Sequence, residues 1–253
     1  MAFWLMVLLG CSATGDDAFQ RGLGALRDGD ASTALESLTQ AVDEGARDPA
    51  VYHALGNSLY RLDRHGEAAA AWRRGLILAP RYGDIAANLD HIRKQFRDRV
   101  DPPDVHRGVF FWQSELSALE TGVVASVALS FALWMVVWGR IRSLRSSGVL
   151  PSSARWMAGI SASLGVLLAI STADAVNSRE AAIVVSTEVE VRSALGPAGL
   201  SLFVLHEGAE VLVADHTETH RLIVLSDGRK GWVSVTSLLS TDPARSFPLD
   251  KNR

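Results

Sequence analysis

The sequence is almost free of cysteine, and its positive and negative charges nearly cancel. Cys11 is the single cysteine in 253 residues, which excludes an internal disulfide framework and any metal site built from several cysteines. The 25 Lys and Arg are balanced by 28 Asp and Glu, so the chain lacks the positive charge typical of a nucleic-acid-binding protein, and we expect no nucleic-acid partner. With 48% apolar residues, the composition is also unlike that of a disordered protein.

The sequence also lacks the residue patterns that mark most active sites and cofactor sites. It has no HExxH zinc motif, no glycine-rich phosphate loop after a strand, and no GxSxG nucleophile motif outside an apolar run. His216 and His220 are four residues apart, but the surrounding sequence predicts strand or turn, where this spacing does not place both rings on one helical face. We therefore expect a protein that is not an enzyme and has no catalytic residues, cofactor or metal.

Two stretches of 18 residues each contain no charged residue, namely residues 121–138 and 156–173. Eighteen helical residues span about 27 Å, close to the roughly 30 Å hydrocarbon core of a bilayer. Tryptophans near the ends of these stretches are typical of membrane interfaces. The pattern predicts transmembrane helices over 116–139 and 156–175. A linker over 101–115 connects the first of them to the region before it. The lipid bilayer is then a partner of the chain. The alternative is a pair of buried helices in a soluble protein.

The segment between the two apolar stretches is basic. Residues 140–155 contain four arginines and no acidic residue, and short basic loops stay in the cytoplasm. The two large regions outside the apolar stretches, residues 15–104 and 174–253, each carry more acidic than basic side chains. The sequence therefore predicts a cytoplasmic loop over 140–155, with residues 15–100 and 178–241 both on the extracytoplasmic side of a bacterial inner membrane.

Residues 1–14 have the pattern of an export or lipoprotein signal. An apolar run over residues 1–10 precedes Cys11 and several small residues, as in a signal sequence. The residues before Cys11 resemble a bacterial lipobox, in which the cysteine carries the lipid. Two alternatives stay open: Cys11 is lipidated, or it is an ordinary member of the apolar signal. An uncleaved segment would form a short third anchor.

An internal repeat with a period of 34 residues follows. Four pairs of residues share this spacing: Gly22 and Gly56, Ala34 and Ala68, Leu38 and Trp72, and Ala41 and Gly75. This is the tetratricopeptide period. The second copy resembles the tetratricopeptide signature at eight positions: Tyr52, Leu55, Gly56, Leu59, Ala68, Trp72, Gly75 and Pro80. We expect a helical array over residues 15–100, closed by an amphipathic capping helix over 83–100 with an apolar stripe at Ile85, Leu89, Ile92 and Phe96.

Such arrays bind partners along a face lined by the first helix of each repeat. The candidate partner-binding residues on that face are Arg21, Asn57, Tyr60, Arg61 and Arg64. For each of them the alternative is an ordinary solvated helix surface.

The pattern changes after residue 178 to alternating apolar and polar residues, which is typical of strands. Strands are predicted over 181–193, 200–208, 210–215, 221–226 and 231–235. Asp227-Gly228 between two apolar runs predicts a hairpin turn. Several short strands at this spacing indicate a small barrel over 178–241, followed by a tail over 242–253.

The barrel region resembles the bacterial SH3-type domain. The resemblance rests on Val191, Arg192, Gly208, Asp227, Gly228, Gly231 and Trp232. The order of signal, tetratricopeptide repeats, two spans and SH3-type domain is similar to that of the BatE-type proteins of the bacterial aerotolerance operon. The resulting expectation is a multidomain membrane protein: an all-α tetratricopeptide array, a two-helix transmembrane hairpin and an all-β SH3-like barrel.

The resemblance to the BatE-type proteins implies a non-catalytic, membrane-anchored scaffold. It implies partners among the von Willebrand-type Bat membrane proteins, together with a MoxR-type ATPase, in a system for stress tolerance. The alternative is a cell-envelope anchor that binds peptidoglycan through the SH3-like domain.

Overall fold

The computed structural model describes residues 15–98, 111–145, 152–177, 180–195 and 199–248. The chain forms two compact units. The first, here called the mixed unit, combines the residues up to 104 with those from 179 onward, and the second, the hairpin unit, contains residues 105–178. The predicted signal with Cys11 lies outside the described residues, as does most of the predicted linker.

Between residues 15 and 98 the mixed unit contains five helices, each of which packs against the next along the chain. They are α1 (Asp16–Asp28), α2 (Ala31–Asp43), α3 (Pro49–Arg61), α4 (His65–Leu78) and α5 (Gly83–Arg93). Local sequence sets two of the boundaries. Gly29 ends α1 in the left-handed conformation with φ of 84°, and the Asp30 carboxylate accepts a hydrogen bond of 3.0 Å from the Thr33 amide to begin α2.

Residues 34 positions apart make equivalent contacts in two successive helix pairs. Gly22 of α1 lies against Leu38 of α2, and a Cβ at Gly22 would come within 2.6 Å of the Leu38 Cγ. Gly56 of α3 lies against Trp72 of α4 in the same way, so that a Cβ there would overlap the indole. Glycine at these two positions therefore allows each helix pair to approach closely.

The fifth helix is shorter than its sequence pattern predicts. It ends at Arg93 rather than near residue 100. The expected apolar stripe is nevertheless buried, with Ile85, Leu89 and Ile92 at most 1% exposed, and Phe96 packs against the same core beyond the helix end. Pro80 follows the end of α4 at Leu78, as expected of a residue that cannot continue a helix.

The second part of the mixed unit is an antiparallel sheet of seven strands in the order β3-β2-β6-β5-β4-β1-β7. The strands are β1 (Ala181–Val184), β2 (Glu188–Arg192), β3 (Ser201–His206), β4 (Glu210–His216), β5 (His220–Val224), β6 (Lys230–Ser234) and β7 (Leu238–Ser240). The single strand predicted over 181–193 is two strands, because the chain bends between them and Val185 donates a hydrogen bond to Ser237 in the stretch leading to β7. Strand β7 was not predicted.

The residues singled out in the sheet have clear structural places. Val191 is fully buried, and Gly231 lies directly against it, where a side chain would collide with the Val191 methyl. The predicted hairpin turn is confirmed: β5 pairs with β6 around Gly228, which has φ of 85°. Trp232 is half-buried and is the register partner of Arg192, which is exposed.

The sheet has a hydrophobic cluster of its own, and a second, larger cluster is shared between the helices and one part of the sheet. The buried side chains of Ile183, Val185, Leu239 and Phe247 belong to the same cluster as the buried residues of α2–α5, and α4 packs against β1 and β7. The sequence pattern assigns the helices and the sheet to separate domains and leaves residues 242–253 as a tail. In the structure the described part of that tail returns to the helices, and Phe247 is only 2% exposed.

Polar contacts join the two parts of the mixed unit as well. Glu210 of β4 accepts a hydrogen bond of 3.0 Å from the Arg93 Nε at the end of α5. The His206 amide donates to the Asp98 carboxylate at 2.6 Å. Gly208, with φ of 87°, lies so close to the Phe96 ring that any Cβ would overlap it.

The hairpin unit contains two long helices packed against each other, α6 (Ala118–Arg145) and α7 (Ser152–Asn177), preceded by a 3₁₀ turn at Phe111–Ser114. Within them, Ala118–Arg142 and Arg155–Ala173 are long and apolar enough to cross a membrane. Both helices extend beyond the charge-free stretches and into the predicted 140–155 loop, of which residues 146–151 are not described.

Small and polar residues form the contact between α6 and α7. Gly165 lies against Leu129, and Gly122 lies opposite Thr172. The Ser161 hydroxyl donates a hydrogen bond of 2.8 Å to the Ala128 carbonyl across the pair. Large apolar side chains point away from this contact, for example Leu119 at 78% and Trp156 at 73% exposed.

Candidate functional site

A cluster of polar side chains lies between α3 and α5. The Asn88 side-chain amide of α5 donates a hydrogen bond of 3.1 Å to the Asn57 side-chain carbonyl of α3. The same amide nitrogen lies 3.3 Å from the Nε2 of His53, one helical turn before Asn57. All three side chains are half-buried, so their outer edges reach solvent. This group of His53, Asn57 and Asn88 is called the amide cluster below.

The ring of His53 is held in a partly desolvated position. It packs against the Tyr82 ring with 5.5 Å between centroids. Burial lowers the pKa of His53 below its ordinary value of 6.5, and the negative charge of Asp84 acts weakly in the opposite direction. A neutral imidazole has one nitrogen free to accept a hydrogen bond, which suits the position of the Asn88 amide.

Tyr60, one turn beyond Asn57 on α3, is part of an aromatic group. Its ring lies 5.3 Å from that of His65 and 5.9 Å from that of Trp72. The Trp72 Nε1 is buried and has no hydrogen-bond partner within the part of the chain that the structure describes. Tyr60 therefore packs against the Trp72 ring and is itself partly exposed.

The three arginines proposed for partner binding are engaged within the helices. Arg21 donates to the Gln40 side chain at 3.0 Å, and Arg61 donates to the Leu26 carbonyl at the end of α1 at 2.7 Å. Arg64 pairs with Glu67 in the first turn of α4, with one contact at 2.8 Å. Of the five predicted residues, Asn57 thus joins the amide cluster, Tyr60 lies one turn further along α3, and the three arginines bind other groups of the helices.

His53 and Asn88 were not predicted as members of the site. The spacing of four residues between His53 and Asn57 could have indicated that they share one face of α3. No comparable signal links Asn88 to them, because it lies 31 residues further along the chain and reaches Asn57 only through the packing of α5.

The sheet carries a separate cavity of about 200 Å³ beside the last described residues. Its charged side is formed by Glu180, Arg245 and Arg221. The Glu180 Oε2 lies 2.9 Å from the Arg245 Nη2 and 3.7 Å from the Arg221 Nη1. Its apolar wall includes Val213 and Leu238. Among the described residues, no group of three or more His, Cys, Asp or Glu side chains could hold a metal ion.

Comparisons with protein-family models, with curated proteins and with solved structures returned no match.

Proposed function

We propose that the protein is a non-catalytic scaffold, anchored in the bacterial inner membrane by α6 and α7, that presents a tetratricopeptide-type helical array and an SH3-like sheet on the extracytoplasmic side. The amide cluster and Tyr60 form the partner-binding face of the array. By its resemblance to the BatE-type proteins, its partners are von Willebrand-type membrane proteins of an aerotolerance-type stress system.

The observation that carries this proposal is the shared core of the mixed unit. The chain leaves that unit after residue 104 and returns to it at residue 179, and residues from both segments pack together. A core assembled from both segments requires that both lie on the same side of any membrane. Two crossings by α6 and α7 satisfy this requirement, whereas a single crossing does not.

The outward faces of α6 and α7 support a lipid environment. Only 17% and 11% of their most apolar windows are buried, unlike core helices of a soluble protein. Large apolar side chains exposed to water are unfavourable by roughly 25 cal/mol per Å², and lipid removes this cost. Close packing through Gly165 and Gly122 is typical of helices that associate within a bilayer.

The sidedness is tested by labelling single cysteines with a membrane-impermeant maleimide in a Cys11→Ala background. We place the probes at the exposed Glu36 and Glu218 of the mixed unit and at Ser147 between the two helices. The expected result is labelling of Glu36→Cys and Glu218→Cys in spheroplasts, and of Ser147→Cys only after detergent is added. Labelling of Ser147→Cys in intact spheroplasts would contradict the proposed topology.

The scaffold role is tested by co-purification with a co-expressed von Willebrand-type membrane protein. Asn57→Ala combined with Asn88→Ala removes both amides of the cluster, and we expect at least a tenfold loss of bound partner. Gln95→Ala, in an exposed turn after α5, is the matched control and should retain the partner. Full retention by the double variant would show that this face does not bind the partner.

The cavity of the sheet favours a second candidate function, binding of peptidoglycan. Two arginines, Arg221 and Arg245, and the carboxylates of Glu180 and Asp242 stand beside an apolar wall, and such a group offers ionic partners to the charged groups of a peptide stem. Sedimentation of the detergent-solubilised chain with purified cell-wall sacculi tests this candidate. Binding that is lost in Arg221→Gln would favour it, and an absence of sedimentation would eliminate it.

A further inference from the structure

The last described residues of the chain lie across α3 and α4 in a way that resembles a bound peptide. This stretch, residues 240–248, is called the C-terminal segment. Five of its main-chain carbonyls accept hydrogen bonds from side chains of the helical part, those of Ser240, Pro243, Ala244, Arg245 and Ser246. The polar contacts of the helical part are therefore made to the peptide backbone of the segment.

Arg74 of α4 makes most of these contacts. Its Nε and Nη2 donate to the Ser240 carbonyl at 3.0 and 2.8 Å, and its Nη1 donates to the Arg245 carbonyl at 2.9 Å. Its Nη2 also donates to the Ser246 carbonyl at 3.1 Å. Arg74 is 0% exposed, and among the described residues it forms no ion pair with a carboxylate. Carbonyl oxygens of the C-terminal segment thus supply the hydrogen bonds that this buried charge requires.

Two further side chains extend the site along the segment. The Tyr52 hydroxyl of α3 donates to the Pro243 carbonyl at 3.0 Å, and Arg47 donates to the Ala244 carbonyl at 3.4 Å. Burial raises the pKa of Tyr52 above its ordinary value, so the hydroxyl keeps its proton and acts as a donor.

Phe247 anchors the end of the segment. Its ring is 2% exposed, lies 4.8 Å from the Arg74 guanidinium carbon, and packs in the core shared with the helices. The side chains just before it, residues 244–246, are exposed. The helical part therefore contacts a row of carbonyls and one aromatic side chain, and it leaves the side chains of residues 244–246 exposed.

We propose that Tyr52, Arg74 and Arg47 form a peptide-binding site that the chain fills with its own C-terminal segment. Its ligand class is a peptide with a turn at the position of Pro243 and Ala244 and an aromatic residue at the position of Phe247. When the internal segment is released, the buried guanidinium loses its hydrogen-bond acceptors, and a peptide of the same shape from another chain restores them. This site uses none of the amide-cluster residues, so the inference does not depend on the proposed function.

The test uses the full chain in detergent micelles and a fluorescent peptide of residues 240–253. The Phe247→Ala variant weakens the internal ligand, whose effective concentration in the intact chain is on the order of millimolar. We expect the peptide to bind Phe247→Ala at least tenfold more tightly than it binds the wild-type chain. The same peptide carrying Phe247→Ala should bind at least tenfold more weakly than the natural peptide.

Two variants locate the binding within the proposed site. Arg74→Lys keeps the positive charge but cannot reach the same set of carbonyls, and Tyr52→Phe removes a single hydroxyl. Added to Phe247→Ala, each should weaken peptide binding, by at least tenfold for Arg74→Lys and about threefold for Tyr52→Phe, which loses one hydrogen bond of about 0.5–1.5 kcal/mol. Arg73→Lys, next to Arg74 but directed at Glu210, is the matched control and should leave binding unchanged.

Two outcomes would overturn the proposal. One is the absence of peptide binding to a Phe247→Ala chain whose circular dichroism matches that of the wild type, which would make the segment a purely structural part of the fold. The other is peptide binding that neither Arg74→Lys nor Tyr52→Phe weakens, which would place the peptide elsewhere on the chain.

Discussion

Single residues control how closely the helices of the mixed unit approach. Gly56 lies against the buried indole of Trp72, whereas Gly24, in the interior of α1, has no atom within 4 Å of where a Cβ would lie. The two glycines occupy helical positions but differ in surroundings. Substituting alanine at each position therefore distinguishes the effect of a side-chain collision on stability from the effect of alanine's higher helix propensity.

We predict opposite effects for Gly56→Ala and Gly24→Ala. Gly56→Ala forces the rigid Trp72 ring away and should lower the stability of the mixed unit by about 1–3 kcal/mol. Gly24→Ala meets open space and should raise it by about 0.5–1 kcal/mol, because alanine favours the helix. Hydrogen exchange of the α1, α3 and α4 amides measures both changes. Equal effects of the two substitutions would contradict the close contact at Gly56.

The titration of His53 predicts a dependence of stability on pH. Because burial lowers the pKa of His53 in the fold, the unfolded chain takes up a proton first as the pH falls. Neutral His53 therefore contributes to the free energy of unfolding at pH values above its ordinary pKa of 6.5, and this contribution is lost as the pH falls below that value. We expect the urea midpoint of the wild type to fall more between pH 8 and pH 5.5 than that of His53→Gln, which keeps a hydrogen-bond acceptor. Identical falls would mean that His53 is not desolvated.

At the scale of elements, two glycine turns of the sheet share a backbone conformation but differ in what surrounds them. Gly208 and Gly228 have φ of 87° and 85°. A Cβ at Gly228 meets open space, while one at Gly208 would overlap the ring of Phe96, which follows α5. The turn at Gly228 thus serves only the hairpin, whereas the turn at Gly208 also sets the contact between sheet and helices.

We predict that Gly208→Ala is more damaging than Gly228→Ala. Each substitution carries the cost of a left-handed conformation, about 1–2 kcal/mol. Gly208→Ala adds displacement of Phe96 and should increase hydrogen exchange in α5 as well as in β4. Gly228→Ala should affect β5 and β6 alone. A loss of α5 protection in Gly228→Ala would argue against this division.

The contact between α6 and α7 leads to a second prediction at this scale. A Cβ at Gly122 would lie 3.6 Å from the Thr172 Cγ2, a position that the sulfur of a cysteine at residue 172 can occupy, so cysteines at the two positions bring their sulfur atoms close together. In a Cys11→Ala background, the Gly122→Cys and Thr172→Cys pair should form a disulfide on oxidation. Gly165→Leu collides with Leu129 and should reduce the yield. Gly159→Leu faces open space and is the matched control.

The sequence was informative about elements because their signals are local. The 34-residue spacing and the apolar stripe of Ile85, Leu89 and Ile92 predicted helices whose buried faces agree with the structure. The Asp227-Gly228 turn was predicted because its backbone conformation needs glycine. The break between β1 and β2 was missed, since it depends on a hydrogen bond from Val185 to Ser237, about 50 residues further along the chain.

At the scale of the whole molecule, the contacts that the sequence did not predict are the distant ones. Arg74 lies in an alanine-rich helix and looks like a surface residue, yet it is buried by a segment more than 160 residues away. Phe247 lies in a stretch without periodicity, and Glu210 meets Arg93 across 117 residues. The composition of the sequence and the spacing of its residues do not predict such pairs, because the pairs form only when the helices and the sheet pack together.

The shared core leads to a prediction about the mixed unit as a whole. Residues 15–104 and 179–253 together hold that core, so a chain in which a flexible linker of about 20 Gly and Ser residues replaces 105–178 should fold. We expect it to be soluble without detergent and to unfold in one cooperative transition, because helices and sheet bury each other's apolar side chains. Residues 15–104 alone leave the surface that Ile183 and Leu239 cover exposed, and should aggregate. Two separate transitions in the linked chain, followed by circular dichroism of the helices and by hydrogen exchange of the strands, would show that the helices and the sheet fold independently.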